Sequence, residues 1–234
     1  MRPNFSTLLQ KRLEDTVRKL CPVIEHNIFT DTSWTEYSLR KELIACILGS
    51  QVRYEMAALA LERLEQAGLL ADEWWCNVED RFELEVFEVL SGRTPQYHGN
   101  WCYRFPKARA HQLAETRNAI AGRSLYEWLF NSSEPKHLRQ CLVLEISGLG
   151  PKQASMFLRN IGISYNLAIL DTHVLRFMNM QNILCLTQVN ISTLTAYERT
   201  ESIVINYSKS LGYPVGYLDW AIWATMKAAR EMGL

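Results

Sequence analysis

All-α is the fold class that this 234-residue sequence predicts, and three observations predict it. Apolar residues recur at helical spacing along most of the chain, as in Leu39, Leu43, Ile44, Ile47 and Leu48. Strand-like runs are few and short. Glycines stand where apolar stripes stop, at Gly68 and Gly122.

Taken in order, the first stripe is followed by Met56, Leu59, Ala60 and Leu64, a second helix closed near Gly68. Phe82 to Leu90 reads as a shorter, acidic helix. Arg109 to Ala121 carries Leu113 and Ile120 on one side, with Gly122 as its stop. Leu138, Leu142 and Ile146 fall four apart, and Ala154, Phe157, Leu158 and Ile161 continue the pattern after two glycines. Asp171 suits a helix N-cap ahead of Val174, Leu175 and Met178. Ile203 to Leu211 and Leu218 to Met232 complete the set.

Composition bounds the function. The chain is 48% hydrophobic and 21% charged, which excludes a disordered protein, and its length suits one domain or two closely packed lobes. Its first residues, MRPNFSTLLQ, form no apolar signal region, and "LIACIL" is too short to span a bilayer, so a cytoplasmic protein with no membrane role is expected. The six cysteines stand singly without CxxC spacing. That argues against a metal site, a cluster or a disulfide framework, and no cofactor is expected. Twenty-five basic and 25 acidic residues cancel, but unevenly. Residues 101–123 hold five basic side chains against Glu115, and 136–159 hold four against Glu145. One basic face of this kind permits local contact with nucleic acid; a solvated mixed-charge surface is the alternative.

The stretch "ISGLGPKQASMFLRN" carries the chemistry. It reads as helix, Gly148–Leu149–Gly150 hairpin, helix, over roughly 138–161. Such a hairpin turns backbone N–H groups and a helix N-terminus outward, where they suit a phosphate. Lys152 stands in the first turn of the second helix, where the positive end of the helix dipole disfavours an ammonium group. A free lysine has a pKa of about 10.4, so a nucleophilic role needs such an environment.

Lys152, with Asp171 19 residues further on in "LAILDTHVL", resembles the helix-hairpin-helix–Gly/Pro/Asp family of DNA glycosylases. "RKELIACILGSQ", "YRFPKARA" and "LDWAIWA" are similar to the archaeal and bacterial type 2 8-oxoguanine branch. The resemblance spans most of the chain. It implies two helical lobes flanking a DNA cleft: 1–37 with 162–234, and a barrel lobe over 38–161. It implies a metal-independent, bifunctional N-glycosylase and AP lyase that removes an oxidised purine, 8-oxoguanine first, from double-stranded DNA. A monomer in the nucleoid is expected. Lys152 then corresponds to the nucleophile and Asp171 to the carboxylate across the cleft.

Further roles follow from the same resemblance. Gln51 matches the residue that fills the gap left by a flipped base, with Arg53 and Tyr54 as alternatives. Phe105 and Trp223 match the aromatic clamp on that base. Arg104, Lys107 and Arg109, with Gly148 and Gly150, are the phosphate candidates. His173 is expected to support the Asp171 turn. Type 2 enzymes typically end in a lysine near the base pocket; here Lys227 falls several residues short and Leu234, with its carboxylate, takes the terminal place. The other functional classes consistent with the residues are a relative acting on another modified purine or on single strands, a non-catalytic DNA-binding protein, and a helical scaffold.

Overall fold

The computed structural model describes residues 5–28, 33–76, 81–92, 101–131 and 134–233. Among these it has no strand. Its helices are α1 (Phe5–Asn27), α2 (Glu36–Leu48), α3 (Tyr54–Gln66), α4 (Asp72–Cys76), α5 (Phe82–Leu90), α6 (Pro106–Ile120), α7 (Leu125–Phe130), α8 (Pro135–Glu145), α9 (Pro151–Asn160), α10 (Thr172–Met180), α11 (Leu194–Leu211) and α12 (Val215–Glu231). The chain divides into two compact units, Ser33–Ile163 and Met1–Thr32 with Ser164–Leu234. None of the described helices is long and apolar enough to cross a membrane.

In the 33–163 unit, α2 is the central helix. Thr35 and Ser38 close a reciprocal capping box at its start, satisfying N–H groups that a helix end leaves unpaired. Leu39, Leu43, Ile44, Cys46, Ile47 and Leu48 are all at most 1% exposed, because α3, α6, α7 and α9 cover different faces. A fully buried Leu or Ile contributes about 1.5–3 kcal/mol by leaving water. The hairpin pair α8 and α9 packs together, with Arg139 Nη1 donating to Ser155 Oγ at 3.2 Å across the pair.

The other unit is built on α12, against which α1, α10 and α11 pack. Leu13, Val17 and Cys21 of α1 join Val174, Phe177, Met178, Leu218, Ala221 and Ile222 in one core. Gly216, in the first turn of α12, donates its N–H to Tyr165 O at 2.8 Å. A Cβ there would stand 3.0 Å from the Tyr165 backbone, so a larger residue would have to push that backbone back by a few tenths of an ångström.

Several elements differ from the sequence reading. The whole of α1 is additional; the polar residues between Leu13, Val17 and Cys21, and Pro22 inside the helix, mask its stripe. The short helices α4 and α7 are additional too. Helix α6 begins at Pro106, three residues before its expected start, since proline's fixed φ suits a first turn. Helix α11 begins at Leu194 behind a Thr193 cap that accepts from Ala196 N, well before Ile203.

Candidate active site

Lys152 sits in the first turn of α9, half-buried. Gly148 turns the chain with φ 80°, and Gly150 is the N-cap, with no side chain capping the helix. Pro151 has no N–H, so the donors that this helix end leaves without an intrahelical partner belong to the residues after it, the arrangement of an anion-binding helix terminus. The Lys152 amine donates to Met156 Sδ at 3.5 Å, one turn along the same face. Next on that face come Arg159 and Asn160. Asn160 Nδ2 donates to Glu42 Oε1 of α2 at 2.7 Å, and Cys46 Sγ lies 3.5 Å from the same oxygen. Burial raises the Glu42 carboxyl above its ordinary range, against the opposite pull of Asn160, Cys46 and Arg159. Burial first, then Glu42, raises the Cys46 thiol, while the nearby positive charge of Lys152 pulls it back. The sequence reading passed over Glu42 and Cys46, whose spacing of four on the apolar α2 stripe was the available signal.

The turn after α2 holds the expected wedge residue. Gln51 is exposed and adopts φ 62°, a left-handed backbone that costs a non-glycine residue about 1–3 kcal/mol. Three side chains hold the turn. Tyr103 OH donates to Leu48 O, Arg109 Nη2 to Ser50 O at 2.8 Å, and Arg104 Nη1 to Gln51 O at 2.9 Å. The Arg104 guanidinium also lies over the Phe105 ring, 4.8 Å from its centroid. Phe105, half-buried, occupies the N-cap of α6 beside this turn. Gln51, Arg104, Arg109 and Phe105 thus come together within one unit.

Arg109 corrects the sequence expectation. It is 6% exposed and its fork is engaged by Ser50 O and Gln112 Oε1, so it is not placed to grip a phosphate. Gln112 in turn lies under the hairpin: a Cβ on Gly148 would be 2.6 Å from its Oε1. Beside it, Thr116 Oγ1 donates to Ser147 O at 3.3 Å. Helix α6 therefore carries both the Gln51 turn and the glycine hairpin on one rigid element. The basic face shrinks with this correction. Arg117 and Arg139 are 3% and 0% exposed, and Arg123 pairs with Glu145 at 2.6 Å. Arg104 and Lys107 remain exposed.

Asp171, in the other unit, is the N-cap of α10, its Oδ1 accepting from Val174 N at 2.8 Å. The segment before it is held by Tyr197, Glu201 and Asp219. Trp223, one turn beyond Asp219 on α12, is half-buried, and Lys227 Nζ lies 5.1 Å from its ring centroid. Leu234 lies outside the described residues. Among the described residues no group of three or more His, Cys, Asp or Glu side chains is arranged to hold a metal.

Comparison with known proteins follows the same lines. Residues 26–213 match the family model described as 8-oxoguanine DNA glycosylase. The 8-oxoguanine DNA glycosylase/AP lyase of Metallosphaera sedula is 36% identical over 183 residues, 78% of this chain and 79% of that protein. That of Saccharolobus solfataricus is 34% identical over the same shares. The crystal structure of the 8-oxoguanine DNA glycosylase of Thermotoga maritima superposes with a TM-score of 0.70 at 25% identity, over 93% of this chain and 95% of the other. The Methanocaldococcus jannaschii 8-oxoguanine glycosylase/lyase, solved with a 15mer DNA containing 8-oxoguanine, shares the fold with a TM-score of 0.65 at 19% identity, over 92% and 89%. With a glycine hairpin presenting a lysine and a family match over most of its length, the chain belongs to the 8-oxoguanine DNA glycosylase family.

Proposed function

We propose that this chain is a bifunctional DNA glycosylase and AP lyase that removes 8-oxoguanine from damaged DNA. The observation that carries the reading is Lys152, set in the first turn of α9 immediately behind the glycine hairpin, in a chain of this family. As a neutral amine, Nζ attacks C1′ of the damaged nucleotide. The N-glycosidic bond breaks and its electron pair leaves with the base, which takes up a proton. Opening of the sugar ring gives an imine between C1′ and Nζ. Loss of a C2′ proton then expels the 3′ phosphate and nicks the strand. Asp171, as a carboxylate, stabilises the positive charge that develops on the sugar.

The remaining roles belong to the same reading. Gln51 enters the stack where the base has left it, and its preset backbone keeps the amide in place. Phe105 and Trp223 stack on the extruded base. The hairpin's backbone groups, Arg104 and Lys107 hold phosphates. The protein acts as a monomer in the nucleoid. Borohydride trapping tests the reading, since only an imine is reducible. The wild type gives a covalent adduct on duplex containing 8-oxoguanine, and Lys152→Gln gives none while still binding. An adduct that persists in Lys152→Gln sinks the assignment of the nucleophile; no wild-type adduct sinks the lyase.

A further inference from the structure

Residues Leu167 to Leu170, immediately before Asp171, are at most 4% exposed and lie in neither helix nor strand. A buried backbone outside regular structure still has to find partners for its N–H groups. Here three successive N–H groups find three side chains. Ala168 N donates to Glu201 Oε1 at 2.9 Å, Ile169 N to Asp219 Oδ2 at 3.0 Å, and Leu170 N to Tyr197 OH at 3.0 Å. The Tyr197 hydroxyl then donates to Ala168 O at 2.8 Å, and Asp171 N closes onto Ile169 O at 2.8 Å. Three successive peptides before Asp171 are thereby pegged to α11 or α12.

The chemistry of the pegs is informative. Glu201, Asp219 and Tyr197 are 1%, 2% and 1% exposed. Burying two carboxyl groups is a costly way to satisfy two peptides that a neighbouring strand could have paired. What these side chains add is directional acceptance from a rigid support, at 2.9 and 3.0 Å. Tyr197 and Glu201 stand one turn apart on α11, and Asp219 stands on α12, so two helices fix the height and the rotation of the segment. Since Asp171 is the N-cap of α10, its carboxylate direction is set by the backbone that these pegs hold and by Val174 N.

We infer that Tyr197, Glu201 and Asp219 are positioning residues for excision, acting through Asp171 by clamping the three peptides before it. The inference rests on Asp171 being the carboxylate of the proposed reaction. It is tested by a double-mutant cycle in single-turnover excision of 8-oxoguanine from duplex. Tyr197→Phe removes two bonds of the clamp and keeps the ring. It lowers the excision rate at least tenfold in the wild-type background and less than threefold in Asp171→Asn, with DNA affinity within twofold throughout. Asp219→Ala behaves in the same way, and Asp219→Asn, which retains an acceptor oxygen, recovers most of that loss. A merely structural role lowers the rate by one factor in both backgrounds and overturns the inference, as does wild-type excision by Tyr197→Phe. If Tyr197→Phe fails to fold, Asp219→Ala takes its place in the cycle. If Asp171→Asn itself excises normally, the reading of Asp171 fails first and is recognised as such.

Discussion

The Arg109 guanidinium donates to the Ser50 carbonyl at 2.8 Å and also engages Gln112, the side chain that lies against Gly148. One buried cation thus supports the turn before Gln51 and the residue beneath the hairpin. A planar fork with several donors can serve two acceptors at once, which an ammonium cannot do with the same geometry. Arg109→Lys should therefore behave more like Arg109→Ala than like the wild type. Removing the fork leaves Ser50 O without this donor and lowers stability by about 1–3 kcal/mol. Thermal unfolding of the two variants checks this; a wild-type midpoint in Arg109→Lys counts against it.

The salt dependence of DNA binding separates buried from exposed cations. Removing one cation that neutralises a phosphate reduces the log–log salt slope by about 0.9. Lys107, exposed in the first turn of α6, should lower the slope by up to that amount on substitution by alanine. Arg109→Ala should leave the slope unchanged, whatever it does to stability. A reduced slope in Arg109→Ala would return that residue to the phosphates.

What was legible in the sequence follows from how local each feature is. The hairpin was legible because a glycine turn and two amphipathic stripes are written within 24 residues, 138–161. The helix starting after Asp171 was legible because a cap acts three residues ahead, on Val174 N. The fate of the arginines was not. Arg109, Arg117 and Arg139 look like a basic face in sequence, yet each is buried, with carbonyls, hydroxyls and rings as partners that composition does not reveal. The clamp before Asp171 was equally hidden, because Glu201 and Asp219 accept from peptides 33 and 50 residues away. Gln51 could be placed at the end of α2, but its left-handed backbone is set by Arg104, Arg109 and Tyr103, more than 50 residues distant.

Glu42 offers a pH test. Its folded-state pKa is raised by burial above the ordinary 4.5. Between those two values the folded chain holds a proton that the unfolded chain has lost, so stability falls as pH rises through the window. Glu42→Gln is uncharged at every pH and keeps an oxygen for Asn160. Its thermal midpoint should equal or exceed that of the wild type at pH 7, and the difference should shrink as pH falls below about 4.5. A variant that is less stable than the wild type only at neutral pH would show that the Glu42 charge supports the fold.

Thiol reactivity should follow burial. Cys21 and Cys46 are fully buried, and loss of hydration raises both thiols, Cys21 to about 11. Cys185 is exposed, and its bond with the Thr187 hydroxyl at 3.1 Å lowers its thiol. Alkylation requires the thiolate. A short iodoacetamide pulse at pH 7.5, read by peptide mass spectrometry, should label Cys185 and spare Cys21 and Cys46 until the chain unfolds. Early labelling of Cys46 would mean that α2 opens in the native state.

The aromatic rings give the test of base selection. Phe105 presents a half-buried ring at the N-cap of α6, with the Arg104 guanidinium over it, and Trp223 presents a half-buried indole on α12 beside Lys227. Neither ring is fully buried. Stacking of a base on such a ring is worth about 1–3 kcal/mol, or roughly 10- to 100-fold in rate where the stack forms during excision. Phe105→Ala and Trp223→Ala should each slow removal of 8-oxoguanine by that factor. A preformed abasic site has no base to hold, so its cleavage through Lys152 should stay within a fewfold of wild type in both variants. Comparing single-turnover rates on the two substrates makes the distinction. Equal losses on both would assign these rings to the fold rather than to the base.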